Sequence, residues 1–186
     1  MFACVDVAYR DDSAIAGCLL FRTWSDACAV EQFLVSQGPA APYRSGEFYL
    51  RELPPTLAVL SQVDVRIETV LVDGYVWLNS SRMGLGAHLH FALEGKIPVI
   101  GVAKNAWSGQ PDQQANDLKH QALAVMRGKS KRPLFVTSVG IDVALAADHV
   151  REMHGPFRIP TLLATVDRLV RSTHTEPLLR RKIVTN

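Results

Sequence analysis

The sequence predicts an α/β domain with a mixed sheet, and two observations support this prediction. Roughly the first forty residues contain three apolar segments joined by short polar turns, a pattern typical of neighbouring antiparallel strands. Farther along, apolar segments of strand length alternate with longer segments that have helical spacing. Such alternation produces parallel strands covered by helices. We therefore expect three antiparallel strands followed by parallel strands, flanked by helices.

The first part of the chain is predicted to be a strand meander. Residues 10–13 (Arg-Asp-Asp-Ser) and the pair Ser25-Asp26 have turn chemistry. The apolar segments around these turns predict strands over residues 2–9, 14–24 and 28–35. After them, Gly38-Pro39 and Pro42 interrupt the sheet pattern.

The second part predicts helices between strands. Residues 48–63 have helical spacing, although Pro54 and Pro55 require a place in the first turn or at the start of a second helix. Ser80 or Ser81 is a candidate N-cap for a helix that runs to about Glu94, with Gly95 as its stop. The remaining segments predict strands at 70–72, 97–103 and 134–139, a loop at 108–117, and helices at 143–153 and 160–171.

Composition is that of a globular protein with one domain. The 186 residues are 48% hydrophobic and 20% charged, and we expect a single domain over residues 1–186. No apolar run approaches the ~20 residues that span a bilayer, so no membrane partner is expected. The three cysteines lack CxxC spacing and there is no secretory pattern, which predicts reduced thiols and a cytoplasmic location. We also expect a monomer, although no sequence feature determines the oligomeric state.

The charge balance leaves nucleic-acid binding open. The formal net charge is +2, which neither requires nor excludes a polyanionic partner. Basic residues cluster at 129–132 and again at Arg168, Arg171, Arg180, Arg181 and Lys182. These clusters could face phosphates, or they could be a solvated loop and a loose basic tail.

Two acids in apolar strands are the strongest chemical signal. Asp73 follows the buried segment 70–72, and Asp6 interrupts the first apolar strand. Burying an unpaired carboxylate is costly, so such a residue indicates a partner or a ligand. If the fourth strand pairs beside the first, the two carboxylates meet where α/β sheets bind ligands. Paired carboxylates suit Mg²⁺ or Mn²⁺.

Four further residues are weaker candidates. Glu52 is an acid in a predicted first helical turn, where it could serve chemistry or simply complement the helix dipole. Lys104 follows the strand at 97–103 and could hold a phosphate, or it could be a surface lysine. Gly74 and Gly101 permit a close backbone approach, which is also ordinary geometry at a strand end.

Several common catalytic patterns are missing from the sequence. His88 and His90 are two residues apart, so a helix directs them differently. There is no HExxH, no Cys/His zinc spacing, no GxxxxGK[ST] loop and no GxSxG turn. Gly84-Leu85-Gly86 lacks the third glycine of a dinucleotide-binding turn and favours helix packing.

In order and spacing, these segments resemble the motifs of the endonuclease V family, which has an RNase H-like fold. The resemblance covers most of the chain. It includes a first aspartate motif, a wedge motif that leads into a glutamate, a second aspartate motif with its following helix, a lysine motif and two later signatures. The matching segments are VDVAY at 5–9, PYRSG at 42–46, FYLRE at 48–52, VDG at 72–74, RMGLGAHL at 82–89, IPVIGVAK at 97–104, SVG at 138–140 and FRIP at 157–160.

The resemblance implies a divalent-metal-dependent endonuclease. Family members cut the second phosphodiester bond 3′ to inosine in DNA or RNA. By this resemblance, Asp6 and Asp73 would bind Mg²⁺ or Mn²⁺, Glu52 would act through the metal or its water, and Lys104 would steady the scissile phosphate. Tyr43 would belong to the wedge. The flipped base would be bordered by Gly46, Gly74, Leu85 and Gly101.

The sequence also departs from the family pattern. Asn79 and Ile141 stand where the family carries histidines, and Ser45 replaces a proline of the wedge. Two alternatives therefore remain open: a module that binds nucleic acid without cutting it, and a nuclease that selects branched or unmodified substrates.

Overall fold

A central sheet with helices on both faces organises the molecule. The computed structural model describes residues 1–10, 13–38, 49–107 and 121–172, and the backbone of 179–182. The strands are β1 (Phe2–Arg10), β2 (Ser13–Phe21), β3 (Glu31–Gln37), β4 (Thr69–Asp73), β5 (Trp77–Asn79), β6 (Arg82–Met83), β7 (Val99–Ala103), β8 (Leu123–Val125), β9 (Leu134–Val139) and β10 (Leu179–Lys182). The helices are α1 (Tyr49–Leu60), α2 (Leu85–Ala92), α3 (Val143–Glu152) and α4 (Thr161–Ser172).

The sheet is mixed, as the sequence predicts. Its strand order is β10-β3-β2-β1-β4-β7-β9-β8. The first three strands are antiparallel neighbours, and β4 lies parallel to both β1 and β7. The predicted alternation of helices with parallel strands holds as far as β7. Beyond it, β9 runs antiparallel to β7, and the short strand β8, which was not predicted, pairs with β9.

The tail beyond α4 contributes a strand at the sheet edge. The backbone of β10 pairs antiparallel with β3. One alternative from the sequence is a loose basic tail at Arg180, Arg181 and Lys182, and the backbone pairing contradicts it.

Strand β2 ends earlier than predicted because a polar turn takes over at its end. The carboxylate of Asp26 accepts hydrogen bonds from the backbone N–H groups of Arg22 and Thr23 at 2.8 and 3.0 Å. Trp24, predicted as a strand residue, instead stacks on Phe2 with 4.4 Å between ring centroids. The third strand correspondingly begins at Glu31, later than the predicted residue 28.

Helix α1 continues through its two prolines as one helix. Pro54 and Pro55 lie beyond the first turn, which contradicts the predicted placement. Each proline lacks an N–H and so removes one helical hydrogen bond. The helix is stabilised instead by burial of one face, which includes Thr56, Val59 and Leu60.

A small hairpin occupies the position of the predicted serine N-cap. Strands β5 and β6 pair across a turn in which Oδ1 of Asn79 accepts hydrogen bonds from the backbone N–H and the hydroxyl of Ser81, each at 3.1 Å. Helix α2 therefore starts only after Gly84, which is its N-cap. Local side-chain hydrogen bonding by Asn79 explains the difference, because it stabilises a turn rather than a helix start.

The two faces of the sheet have separate cores. Leu71 of β4 and Ile100 of β7 pack towards α3 and α4, in a cluster with Ala146, Val150 and Leu162. The alternate strand residues pack towards α1 and α2, in a second cluster that contains Val5, Val70, Val72, Val59 and Leu89. None of the helices in the described part of the chain is long and apolar enough to cross a membrane.

Candidate active site

The period of two in the central strands directs three charged side chains to the same face. Cys4, Leu71 and Val102 pack in the core on the α4 side. The residues two positions later are Asp6, Asp73 and Lys104. Asp6 lies in the middle of β1, just beyond the part that pairs with β4, whereas Asp73 ends β4 and Lys104 directly follows β7. Side chains two residues apart share a face, so all three charges point towards α4.

Helix α4 supplies a third acid to this place. The register pairs Val5 with Val72, so Asp6 and Asp73 are adjacent across β1 and β4. One carboxylate oxygen each from Asp6, Asp73 and Asp167 lie within 4.8 Å of one another. The sequence predicted the first two residues as a metal pair, and the structure brings them together.

Asp167 was missed in the sequence. A signal was available, since residues 160–171 were expected to be helical and Asp167 lies between the apolar positions Leu163 and Val170. Asp167 is four residues after Leu163 and three before Val170, so it lies on the face of the helix that packs on the core. An acid on the apolar face of a helix indicates a partner or a ligand, for the same reason as an acid in a buried strand.

The cluster is electrostatically strained. Burial, then the charge of Asp73 and more weakly that of Asp167, together raise the pKa of Asp6 to about 6, against a lowering by the N–H of Val7. That backbone N–H donates to Oδ1 of Asp6 at 2.9 Å. Like charges this close disfavour ionisation, so a bound cation would relieve the repulsion.

Glu52 approaches the same place from α1, on the opposite face of the sheet. Only 7% of the residue is exposed, so it is not a solvated acid at a helix start. Burial, followed by the charges of Asp6 and Asp73, raises the pKa of Glu52 to about 9, while Arg51 lowers it. Glu52 lines a cleft of about 680 Å³ together with these two aspartates. A buried acid with a raised pKa in a cleft is a candidate functional group.

Lys104 is held against the acid cluster. Its Nζ lies 2.5 Å from Oδ2 of Asp73. Burial acts to lower the pKa of Lys104, but the hydrogen bond and the charge of Asp73 outweigh it, and the pKa is raised. The guanidinium of Arg158 donates hydrogen bonds to the backbone carbonyls of Lys104 and Pro133 and so anchors the strand end that carries the lysine.

The residues expected to border a base occupy different environments. No heavy atom of the described residues would lie within 4 Å of a Cβ at Gly74, whose φ is +132°. At Gly101 a Cβ would lie 2.6 Å from the carbonyl oxygen of Gly74 and 2.8 Å from the nitrogen of Val76, so protein backbone fills that space. Leu85 begins α2 and packs against the α1–α2 core. Tyr43 and Gly46 lie outside the described residues.

The two histidines of α2 take separate local partners. The ring of His88 stacks on that of Tyr49 with 3.6 Å between centroids. Burial lowers the pKa of His88. The Nδ1 of buried His90 lies 2.8 Å from the carbonyl oxygen of Ile97. The two rings have different partners, in agreement with the expectation from their spacing, and neither contact involves the aspartate cluster.

The two positions where histidines were expected also have local roles. Asn79 stabilises the β5–β6 turn described above. The backbone carbonyl of Ile141 accepts a hydrogen bond from the Ser138 hydroxyl at 2.8 Å, and its side chain packs against the α3–α4 core.

The donor set at the cluster fits a hard divalent cation. Three carboxylates offer oxygen ligands, which Mg²⁺ and Mn²⁺ prefer, and the half-buried setting is open to water through the cleft. A mixed sheet with carboxylates on two neighbouring parallel strands, completed by an acid on a helix packed against them, is typical of the RNase H-like class of fold.

Comparison with known proteins identifies the family within that class. The model of the Endonuclease V family matches residues 1–168, and the chain belongs to this family. The Endonuclease V of Nocardia farcinica is 30% identical over 180 residues, which cover 90% of this chain and 78% of the relative. These homologues indicate a nuclease.

Solved structures of Endonuclease V proteins have the same fold as this chain. The Endonuclease V of Streptomyces avermitilis superposes with a TM-score of 0.71 at 28% identity, over 91% of this chain and 79% of that one. The Endonuclease V of Ciona intestinalis, crystallised with DNA containing an inosine followed by a ribo-adenosine, has a TM-score of 0.76. It is 20% identical over 91% of this chain and 84% of its own, a likeness that concerns the fold.

Proposed function

We propose that this protein is a divalent-metal-dependent endonuclease that cleaves the second phosphodiester bond 3′ to inosine in DNA or RNA. The observation that carries the proposal is the convergence of Asp6, Asp73 and Asp167 within 4.8 Å in a chain of the endonuclease V family. The inosine-containing DNA bound by the Ciona relative supports the choice of substrate.

In this proposal, Asp6, Asp73 and Asp167 hold Mg²⁺ or Mn²⁺ through carboxylate oxygens. A bound divalent cation supplies a Lewis acid that activates water and offsets charge on the leaving oxygen. Glu52 faces the same cleft, where its buried carboxyl orients the attacking water by hydrogen bonding.

Lys104 has a separate role at the phosphate. Its ammonium stands at the end of β7, beside Asp73, and can donate to a non-bridging phosphate oxygen as charge builds up in the transition state. Base recognition is assigned to Tyr43, Gly46, Gly74 and Leu85. Gly101, also expected to border the base, packs against the backbone of Gly74 and would act by holding that turn in place. A mispaired inosine costs less free energy to flip out of the duplex than a correctly paired base, and this difference favours inosine as the substrate.

Cleavage assays test this function. Oligonucleotides of DNA and RNA, single-stranded and duplex, are prepared with one inosine or with adenosine at the same position. We expect cleavage of the inosine strands with Mg²⁺ or Mn²⁺, none with EDTA, and loss of activity in Asp73→Asn. Asp148→Asn, at an exposed site on α3, is the matched control.

Each other outcome has a clear meaning. Absence of cleavage with metal present, or full activity of Asp73→Asn, overturns the nuclease proposal. Metal-independent binding without product indicates a binding module. Equal cleavage of matched strands with inosine and adenosine indicates a nuclease that has lost its inosine preference, as the replacements at Asn79 and Ile141 allow.

A further inference from the structure

A second cavity adjoins the acid cluster on the α4 side of the sheet. Its volume is about 420 Å³, and it shares Asp6 and Asp73 with the larger cleft. It extends between the end of β7, the segment 153–160 and α4. Its walls are largely apolar and include Phe157, Ile159, Leu163 and Val166, with Lys104 and Arg168 among the charged residues.

Phe157 is unusually exposed for an aromatic ring in such a place. Its exposed fraction is 74%, although neighbouring Ile159 and Leu163 are largely covered. An exposed aromatic beside a charged site is a common feature of surfaces that stack nucleobases.

The segment that carries Phe157 is firmly held. The guanidinium of Arg127, a residue only 7% exposed, donates hydrogen bonds to the backbone carbonyls of Met153, Gly155 and Phe157. Gly128 packs so closely beneath the segment that a Cβ there would lie 2.3 Å from the carbonyl oxygen of Pro156. The backbone is therefore fixed before any ligand arrives, which lowers the entropic cost of binding.

Charged residues of both signs line the cavity: the cations are Lys104 and Arg168, and the acids are Asp6, Asp73 and Asp167. With a divalent metal held by the three acids, as proposed above, this lining suits a nucleotide rather than a purely apolar ligand. Lys104 lies where the cavity meets the acid cluster, and Arg168 lies on α4. A strand whose phosphate reaches the cluster therefore places the adjoining base next to an apolar wall that also contains Arg168. This wall lies on the α4 face, whereas Leu85, assigned above to the flipped inosine, packs on the α1–α2 face.

We propose that this second cavity is a subsite for a nucleobase next to the scissile phosphate, and that Phe157 stacks on that base. The subsite is separate from the inosine pocket and sets the position of the strand on the metal centre. The inference rests on the proposed nuclease function, and its test includes a binding measurement that requires no cleavage.

The test is a double-mutant cycle between protein and substrate. Phe157→Ala and wild type are assayed for kcat/KM on strands in which each position near the cut is replaced in turn by an abasic site. We expect Phe157→Ala to lose roughly 5- to 150-fold on the intact strand, the range for loss of one stacked base. At one position the abasic substitution and Phe157→Ala should be non-additive.

Two variants control for folding and for general hydrophobic exposure. Phe157→Trp keeps a stacking surface and should retain most of the activity. Phe91→Ala removes a phenylalanine that is 57% exposed on α2, next to His90, whose ring contacts Ile97 before β7 begins. Phe91 therefore lies near the start of β7, whereas Lys104 follows its end, so Phe91→Ala should behave as wild type.

Binding distinguishes this inference from the nuclease proposal. A 2-aminopurine probe is moved along an uncleaved strand in EDTA, where stacking on Phe157 quenches its fluorescence. Quenching at one position in wild type and Phe157→Trp, lost in Phe157→Ala, supports the subsite even if no cleavage is found. Equal quenching in all variants, additive losses at every position, or unchanged kcat/KM in Phe157→Ala overturns it.

Discussion

The ammonium nitrogen of Lys104 lies 2.5 Å from Oδ2 of Asp73, so the cluster that fits a metal already contains a cation. The contact follows from the sheet, because β4 and β7 are parallel neighbours that pair Asp73 with Val102. Lys104 therefore reaches back to the end of the neighbouring strand. In the metal-free protein it partly neutralises the acids, and in the proposed mechanism a bound metal would leave its ammonium available to the phosphate.

Replacing Lys104 by Met separates these two roles. We expect the cleavage rate to fall by about 10²–10³, as for loss of one donor to developing charge. Mn²⁺ affinity, measured by calorimetry, should be unchanged or tighter, because a competing cation has been removed. A loss of metal affinity parallel to the loss of rate would contradict the role at the phosphate.

Asp167 is expected to contribute directly to metal binding. Asp167→Asn should weaken Mn²⁺ binding by at least about tenfold, since removal of even an outer partner costs 10–100-fold. Asp148→Asn is the matched control, because both aspartates lie on helices and pair with an arginine of the same helix, Arg171 and Arg151 respectively. Equal metal affinity of the two variants would exclude Asp167 from the site.

The stability of the metal-free protein should fall as pH rises. Folding raises the pKa of Asp6 from 3.8 to about 6 and that of Glu52 from 4.5 to about 9. The folded protein therefore holds more protons than the unfolded chain in this range, and that stabilisation is lost as pH rises through the folded values. We expect Tm in EDTA to decrease between pH 5 and about pH 9.

Glu52→Gln should flatten that profile, because Glu52 has the larger pKa shift of these two acids. Exposed Glu152→Gln is the control and should reproduce the wild-type slope. Added Mg²⁺ should stabilise the wild-type protein more at high pH, since metal binding requires ionised carboxylates. A metal-free Tm that rises over this range would refute the assignment of a raised pKa.

Gly101 is expected to tolerate no side chain. In Gly101→Ala the new methyl group would meet the backbone of Gly74 and Val76 at 2.6 and 2.8 Å and the Thr137 hydroxyl at 2.9 Å. We expect a loss of about 1–3 kcal/mol in unfolding free energy, measured by urea denaturation, from overpacking. Because the displaced backbone follows Asp73 directly, cleavage should fall as well. Unchanged stability would show that the turn can shift freely.

The strand pattern and the site acids were largely readable from local sequence. Asp6, Glu52, Asp73 and Lys104 each stood at an informative place in a periodic segment, and the structure brings all four to one end of the sheet. Local patterns were less informative where a side chain reorganised the backbone. Asn79 turned a predicted helix start into a hairpin, and Asp26 ended β2 early.

Local sequence alone determined the four helices and the strands β1–β4, β7 and β9, because hydrophobic periodicity acts over a few neighbouring residues. Tertiary structure alone decided that β9 runs antiparallel and that Asp167 joins Asp6 and Asp73, 161 and 94 positions distant in the chain. It also decided that Glu52 is buried rather than solvated. These features depend on packing between distant elements, and their energies arise only when the sheet and its helices have assembled.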